Sequence, residues 1–206
     1  MSWVLKKIFG CLSLVESVGG WDSVMKSDQF SINLMYKKLC GDFPKVPWRR
    51  VTCNNYATPK SLFILWFVIL KRIPTLDRLL KWSIVTCDSY LYCNTTSESV
   101  DHLFFECGFT SQVWQRVLTL LQFAKAPAGF HDELEWVLKC SKKNGASQKL
   151  LVMFFAEAVY SIWLNRNDKL YNQHCRTLAE LFKDIQFRVA ARCPSDLCSK
   201  LLDLSC

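Results

Sequence analysis

The chain has 206 residues and a mass of 23.9 kDa, enough for one or two compact domains and too short for a complete polymerase. Half of the residues are hydrophobic and 14% are aromatic, which argues against wholesale disorder. The 26 Lys and Arg residues outnumber the 18 Asp and Glu residues, and the formal net charge of +8 favours anionic partners. The 11 cysteines are an odd number, so they cannot all pair with one another in disulfides.

The sequence shows no convincing signal for export or membrane insertion. The apolar run at 8–15 follows a pair of lysines but ends at Glu16 and lacks a small-residue cleavage site. The apolar run at 61–70 is too short to span a bilayer, which needs about 20 residues, and Glu157 interrupts the run at 150–164. We therefore expect an intracellular protein, nuclear or cytoplasmic and not secreted, whose thiols are reduced or bind metal.

The first half of the chain carries signals for short helices. Residues 31–40 predict a helix that enters a basic loop with two prolines at 41–48. Pro59 occupies the first turn of a buried helix, and Pro74 precedes another whose leucines lie on one side. A loop rich in Cys, Asn, Thr and Ser follows at 83–97.

The second half predicts further helices. Thr95 and Glu98 have the spacing of a capping box, so a helix is expected to begin there, and Thr110 is a cap for the next one. Residues 122–131, with Ala-Pro-Ala-Gly in the middle, are the best linker candidate. The helices predicted beyond it lie at 132–140, at about 148–171 and from Thr177 onward. No strand alternation is convincing, so the predicted class is mainly α, a small helical module followed by a helical C-terminal segment.

The excess positive charge is confined to one stretch of the chain. Residues 37–81 contain ten basic and two acidic residues, and the remaining 161 residues carry equal numbers of each sign. Aromatic residues from Phe43 to Trp82 are interleaved with these cations, a combination suited to phosphate contact and base stacking. Alternatively, the aromatics fill a core while the charges solvate its surface, which suits the apolar run at 63–70. The candidate nucleic-acid-binding residues are Lys45, Arg49, Arg50, Lys60, Lys71, Arg72, Arg78 and Lys81.

Cysteine and histidine residues cluster between positions 87 and 107. Zinc favours four ligands in a tetrahedron, with thiolates and neutral imidazole among the preferred donors. Cys93, His102 and Cys107 supply three ligands, from the loop, from early in the following helix and from its end, and Cys87 is the candidate for the fourth. The gap between Cys87 and Cys93 is longer than the usual two-residue knuckle, and a chain with 11 cysteines also makes such groups by chance. Spacing alone leaves both interpretations open.

The order of several motifs resembles one known family. The segments Ile73-Pro-Thr-Leu-Asp-Arg-Leu-Leu-Lys-Trp-Ser-Ile84 and Glu98-Ser-Val-Asp-His-Leu-Phe-Phe-Glu-Cys-Gly-Phe109 resemble the zinc-binding domain near the C-terminal end of plant non-LTR (LINE-type) retrotransposon polyproteins, which are reverse transcriptases. Upstream, Phe30-Ser31-Ile32 and Pro59-Lys60 also match its pattern. The resemblance covers about residues 28–116 and continues more weakly at 157–167. It implies a zinc-binding module within the tail of such a polyprotein.

The resemblance also implies a Cys-x-x-Cys pair in the loop, and the first of its positions is Tyr90 here. A phenol is a poor zinc ligand at neutral pH because its pKa lies near 10. Either Cys87 takes that place, or the site keeps three protein ligands and a water, or it no longer holds metal. The predicted organisation is an N-terminal segment at 1–27, the zinc-binding-like domain at 28–121, the linker at 122–131 and a helical region at 132–206.

The sequence and the resemblance favour a protein that is not an enzyme. It contains no Asp-Asp pair of the kind that positions polymerase metal ions, no glycine-rich phosphate loop and no serine nucleophile elbow. A hydrolase built on His102 and Cys107 lacks an orienting third group. The resemblance implies zinc as cofactor and RNA or DNA as partner, with neither a membrane nor a small-molecule substrate. The alternatives are a host-recruited protein-interaction module and a degenerate retroelement remnant without metal.

Overall fold

A computed structural model of the chain describes residues 3–41, 44–53, 55–93, 96–143 and 145–205. Phe43 and Thr95, which the sequence predictions used, lie outside the described residues. Helices dominate the described part, with one small two-stranded sheet, and this confirms the predicted mainly α class. By its internal contacts the chain divides into two compact units, residues 1–46 and 47–206.

The first unit consists of helices and a short hairpin. Its elements are α1 (Trp3–Ser17), a 3-10 turn (Trp21–Val24), β1 (Met25–Lys26), β2 (Gln29–Phe30) and α2 (Ile32–Cys40). The strands are antiparallel, and Ser27 and Asp28 between them both have positive φ, as a two-residue hairpin turn of type I′ requires. The Ser31 side chain caps α2 by accepting a hydrogen bond from the Leu34 N–H, which agrees with the helix predicted at 31–40.

The second unit is helical in its described residues. Its helices are α3 (Arg49–Thr52), α4 (Pro59–Ile69), α5 (Leu76–Lys81), α6 (Gly108–Leu120), α7 (Phe130–Cys140), α8 (Ala146–Asn172), α9 (Leu178–Arg192) and α10 (Ser195–Ser205). A π-helical turn, His102–Glu106, precedes α6. The Thr177 signal is confirmed, since Thr177 and Glu180 form a reciprocal capping box at the start of α9.

Two predicted caps differ from the structure. Thr110 does not cap α6, because the helix begins at Gly108 and the Thr110 hydroxyl donates to the Cys107 carbonyl oxygen at 3.3 Å. Glu98 turns into the protein interior and binds Arg166 and the Leu76 N–H, so its carboxylate serves a tertiary contact instead of a local cap. For Glu98, a partner distant in sequence overrides the local spacing rule. For Thr110, the π-helical turn directly before α6 places the start of the helix at Gly108.

The core of the second unit surrounds α8. Residues 150–163 of this helix are all buried, as expected for a helix that is apolar on every side and enclosed by neighbours. Helices α3, α4, α6, α7, α9 and α10 all contact α8. None of the helices in the described part of the chain is both long and apolar enough to cross a membrane.

The aromatic part of this core connects α8 to the region just before and within α6. The Phe105 ring lies 5.1 Å from Trp114, 6.4 Å from Phe130 and 5.8 Å from Phe155, measured between centroids, and all four side chains are buried. Rings at these separations add to the stabilisation from apolar burial.

The predicted boundaries at residues 28, 122 and 132 stay predictions.

Candidate metal centre and basic surface

The candidate metal centre is built on a loop that closes on itself. The Tyr90 N–H donates to the Thr96 carbonyl at 2.9 Å, and the Glu98 N–H donates to the Asp88 carbonyl at 2.8 Å. Ser89 and Ser97 form an isolated antiparallel bridge between these two bonds. The closed loop carries Cys93 and leads directly into the turn that carries the next two candidate ligands.

A buried ion pair anchors the end of this loop to α8. Arg166 donates from Nη2 to Glu98 Oε1 at 2.6 Å and from Nε to Glu98 Oε2 at 3.0 Å. Glu98 Oε1 also accepts a hydrogen bond from the Leu76 N–H at 2.8 Å, at the start of α5. Both side chains are at most 1% exposed, so the charges are compensated by each other and not by solvent. One carboxylate therefore joins the ligand loop, α5 and α8.

The turn at His102–Glu106 determines the relative position of His102 and Cys107. Five residues of α-helix would separate the two side chains by about 140° around the axis. The chain instead forms a π-helical turn, in which the Cys107 N–H donates to the His102 carbonyl oxygen at 3.0 Å. This hydrogen bond between residues five apart brings the two ligands to one side of the turn. Such turns are rare and occur frequently at functional sites.

Three of the four predicted ligands converge, and Cys87 is not among them. The donor atoms of Cys93, His102 and Cys107 all lie within 4.8 Å of one another, and Cys93 Sγ is 3.2 Å from His102 Nε2. In a tetrahedral zinc site the separations between sulfur and nitrogen donors are about 3.5–3.8 Å, from bond lengths of about 2.0–2.3 Å. The donor set and its spacing therefore fit three positions of a zinc ion after small movements of the side chains.

The surroundings of Cys107 act on its thiol in opposite directions, and the net effect is a raised pKa, which favours the neutral thiol when no metal is bound. Burial raises the pKa of the Cys107 thiol, whereas hydrogen bonds from the backbone N–H groups of Phe109 and Thr110 act in the opposite direction. Cys107 also occupies the N-cap position of α6, where the helix dipole favours negative charge. Zinc binds the deprotonated thiol, so these donors favour the form that a metal requires.

Among the residues that the structure describes, no cysteine joins the cluster as a fourth ligand. Cys87 does not join the three converging donors, and its sulfur lies 3.3 Å from Ser89 Oγ. Tyr90 is fully buried with its hydroxyl directed to the Leu103 carbonyl at 3.4 Å, and burial raises the pKa of its phenol above the usual value, so it stays protonated. A polar side chain that sequence reasoning missed is Thr96, whose exposed hydroxyl lies 3.0 Å from His102 Nε2. Thr96 therefore lies beside the cluster on the exposed surface of the loop.

Three of the candidate nucleic-acid-binding residues share a cavity beside α5. Lys71, Arg78 and Lys81 line a cavity of about 460 Å³ together with the indole of Trp82. The Arg78 guanidinium lies 5.2 Å from the Trp82 ring centroid, and this tryptophan is 53% exposed. Asp77 lines the same cavity and accepts a hydrogen bond from Thr75, so cations outnumber acids there. We call this group of Lys71, Arg78, Lys81 and Trp82 the α5 basic patch.

The other candidates are spread over the molecule. Lys45 lies in the first unit and is exposed. Arg49 and Arg72 lie in the second unit and are also exposed. Lys60 lines an apolar groove between α4 and α8. Arg50 lines a separate polar cavity next to α8. Within the second unit, three of the seven predicted cations share one cavity, and the other four do not line it.

Comparison with known proteins agrees with this geometry. Residues 30–114 match the family model described as zinc-binding in reverse transcriptase. The matched segment includes Cys93, His102 and Cys107, the loop that carries the first of them and the whole α5 basic patch. The searches of curated proteins and of solved structures returned no match.

Proposed function

We propose that this chain, whose residues 30–114 match the family model described as zinc-binding in reverse transcriptase, is a non-catalytic zinc-binding module that contacts nucleic acid. The observation that carries the proposal is the convergence of Cys93, His102 and Cys107 within 4.8 Å inside the matched segment. The matched family is a zinc-binding accessory domain and not a polymerase catalytic domain. An origin in a retroelement polyprotein of plant LINE type follows from the motif resemblance and is part of the proposal.

Zinc would be held by Cys93 from the closed loop and by His102 and Cys107 from the two ends of the π-helical turn. A bound ion would link the closed loop to the π-helical turn through these three side chains. The residues around it provide the remaining order, because the Glu98–Arg166 pair anchors the loop and the α6 N–H groups face the Cys107 sulfur. A site with three protein ligands binds more weakly than a full structural site, whose apparent stabilisation is about 10–16 kcal/mol.

The α5 basic patch supports contact with nucleic acid. Its three cations suit phosphate oxygens, and the half-exposed indole of Trp82 offers a face on which a base can stack. If all three cations neutralise phosphates, affinity is expected to fall about 20–40-fold between 50 and 200 mM salt. The patch is connected to the candidate metal centre, because the Leu76 N–H at the start of α5 donates to Glu98 at the end of the ligand loop. Loss of zinc is therefore expected to disturb the position of α5 and to weaken nucleic-acid binding indirectly.

Metal content tests the first part of the proposal. We expect about one zinc per chain in protein purified without chelator, measured by elemental analysis. Cys107→Ser should remove the metal, whereas Cys53→Ser, an exposed cysteine outside the cluster, should retain it. Metal-free wild-type protein whose far-UV spectrum is unchanged by zinc addition would refute the zinc assignment and favour a degenerate remnant.

A salt titration of oligonucleotide binding tests the second part. Fluorescence anisotropy with a labelled single strand should show the steep salt dependence given above, and Lys81→Gln should reduce the slope by about one. Lys183→Gln, on α9 and outside the patch, is the matched control. Absence of oligonucleotide binding, together with salt-insensitive binding of a protein partner, would favour the protein-interaction alternative. The apolar groove between α4 and α8, where Phe63 is 55% exposed, is the surface that such a partner would use.

A further inference from the structure

A second basic cavity lies where α3, the turn between α7 and α8, and the first turns of α8 meet. Its volume is about 320 Å³, which is within the range of small-ligand sites. Three cations line it, Arg50, Lys143 and Lys149, and the described residues of its lining include no carboxylate. Arg50 is about 100 positions from the other two in sequence, so only the fold brings these charges together.

Hydrogen bonds between distant segments hold the walls of this cavity. The Asn55 side-chain amide donates to the carbonyl oxygens of Val51 and Val152, both at 2.9 Å, and so ties the segment after α3 to α8. Arg50 Nη1 donates to the Ser141 carbonyl at 3.0 Å, which fixes the guanidinium against the end of α7. A guanidinium carries five N–H donors, and this bond occupies one of them. The cavity is therefore a preformed feature with an oriented arginine in its wall.

The charges around the cavity are poorly compensated. Lys149 has a described ion-pair partner, Asp196, but the distance is 3.6 Å and the aspartate side chain is 64% exposed. The segment 141–150 contains three lysines and no acidic residue, and the first turn of α8 has no acid either. The dipole of this long helix adds to the positive potential at its beginning. Like charges that lie close together without acids favour the binding of an anion with more than one negative charge.

We propose that this cavity binds a phosphate group. A phosphate presents tetrahedrally arranged oxygens that an arginine can bind with two N–H groups while lysines contact the others as point charges. Tyr56 and Gln148 also line the cavity and offer neutral donors at its edge. The inference goes beyond the proposed function, because the cavity is separate from the α5 basic patch and two of its three cations lie outside the family match. The group belongs to a nucleic-acid backbone or to a free phosphate compound, and the two sources share this chemistry.

The test compares two lysine variants of the full chain. Lys143→Gln/Lys149→Gln removes two cavity cations, and Lys142→Gln changes an exposed neighbour that does not line the cavity. Inorganic phosphate and pyrophosphate are titrated into each protein, and binding is followed by NMR chemical shifts, including the Arg50 side-chain N–H. Because each charge-assisted hydrogen bond contributes a factor of about ten or more, the loss of two lysines should weaken binding about a hundredfold relative to wild type. Lys142→Gln should bind as wild type does.

Two results would overturn the proposal: no saturable shift of cavity residues in the wild type, or equal losses in the double variant and in Lys142→Gln. Arg50→Lys, made alone, provides a second variant. It keeps the charge but loses the bidentate contact, so it should bind phosphate more weakly than wild type. A short oligonucleotide that displaces inorganic phosphate from the cavity identifies the backbone as the source. An oligonucleotide that binds without displacing phosphate identifies a free phosphate compound. Phosphate binding without any oligonucleotide binding would refute nucleic-acid recognition and leave this site established.

Discussion

The ion pair between Glu98 and Arg166 leads to a quantitative prediction about the ligand loop. Glu98→Gln leaves the Arg166 charge, which is 1% exposed, without a counter-charge, and Arg166→Met leaves the Glu98 carboxylate in the same position. Each single change is expected to lower the free energy of unfolding by about 3–5 kcal/mol, because an uncompensated buried charge remains. This is a large part of the total for a domain, about 5–15 kcal/mol.

The double variant Glu98→Gln/Arg166→Met should be milder than either single variant. It removes both charges, and the glutamine carbonyl oxygen can still accept the hydrogen bond from the Leu76 N–H. The expected coupling between the two changes is at least about 2 kcal/mol, within the range measured for residues of one buried network. The assay is urea denaturation followed by circular dichroism, with unfolding free energies from linear extrapolation.

An exposed pair on α7 is the matched control for this cycle. Glu135 and Lys139 are 2.8 Å apart with side chains that are 67% and 66% exposed, so their coupling should be only about 0.3–0.5 kcal/mol. A coupling below about 0.5 kcal/mol for Glu98 and Arg166 as well would refute the reasoning, because the pair would then behave like a solvent-exposed contact.

Three further predictions concern the metal centre and the core. Zinc chelation should lower the melting temperature of the wild type but not of Cys107→Ser, as differential scanning fluorimetry can show; equal shifts would contradict zinc binding at this cluster. Above pH 10 unfolded tyrosine ionises while buried Tyr90 stays protonated, so the folded state binds more protons and stability falls as pH rises. Tyr90→Phe should reduce that fall by about 1 kcal/mol between pH 10 and pH 11 in urea melts, and an unchanged slope would contradict the burial of this phenol. Glu157→Ala should lower the free energy of unfolding by about 2–4 kcal/mol, because the buried carboxylate accepts hydrogen bonds from the Thr58 N–H and the Ser61 hydroxyl at 2.6 Å each. The control, Glu180→Ala at an exposed helix cap, should lower it by only about 1 kcal/mol in the same urea assay.

The sequence allowed the helical class and three converging candidate metal ligands to be predicted, because apolar periodicity and motif order are local properties. The π-helical turn could not be predicted, since α-helical geometry places His102 and Cys107 on different sides and spacing does not reveal a five-residue hydrogen bond. Glu98 shows the limit of local rules: its position suits a cap, but its partner Arg166 is 68 residues away. The cavity at Arg50 was hidden for the same reason, because charge counted along the chain does not show which lysines the fold places beside it.

The central position of α8 has a consequence for how this chain can be divided into fragments. An excised fragment ending at residue 114 would contain every ligand of the candidate metal centre and yet lack Arg166, Phe130 and Phe155. Glu98 would lose its arginine partner, and the side chains of Phe105 and Trp114 would be exposed to water. We therefore expect such a fragment to aggregate or to remain a molten globule even when saturated with zinc. A fragment that folds independently should have to include α8.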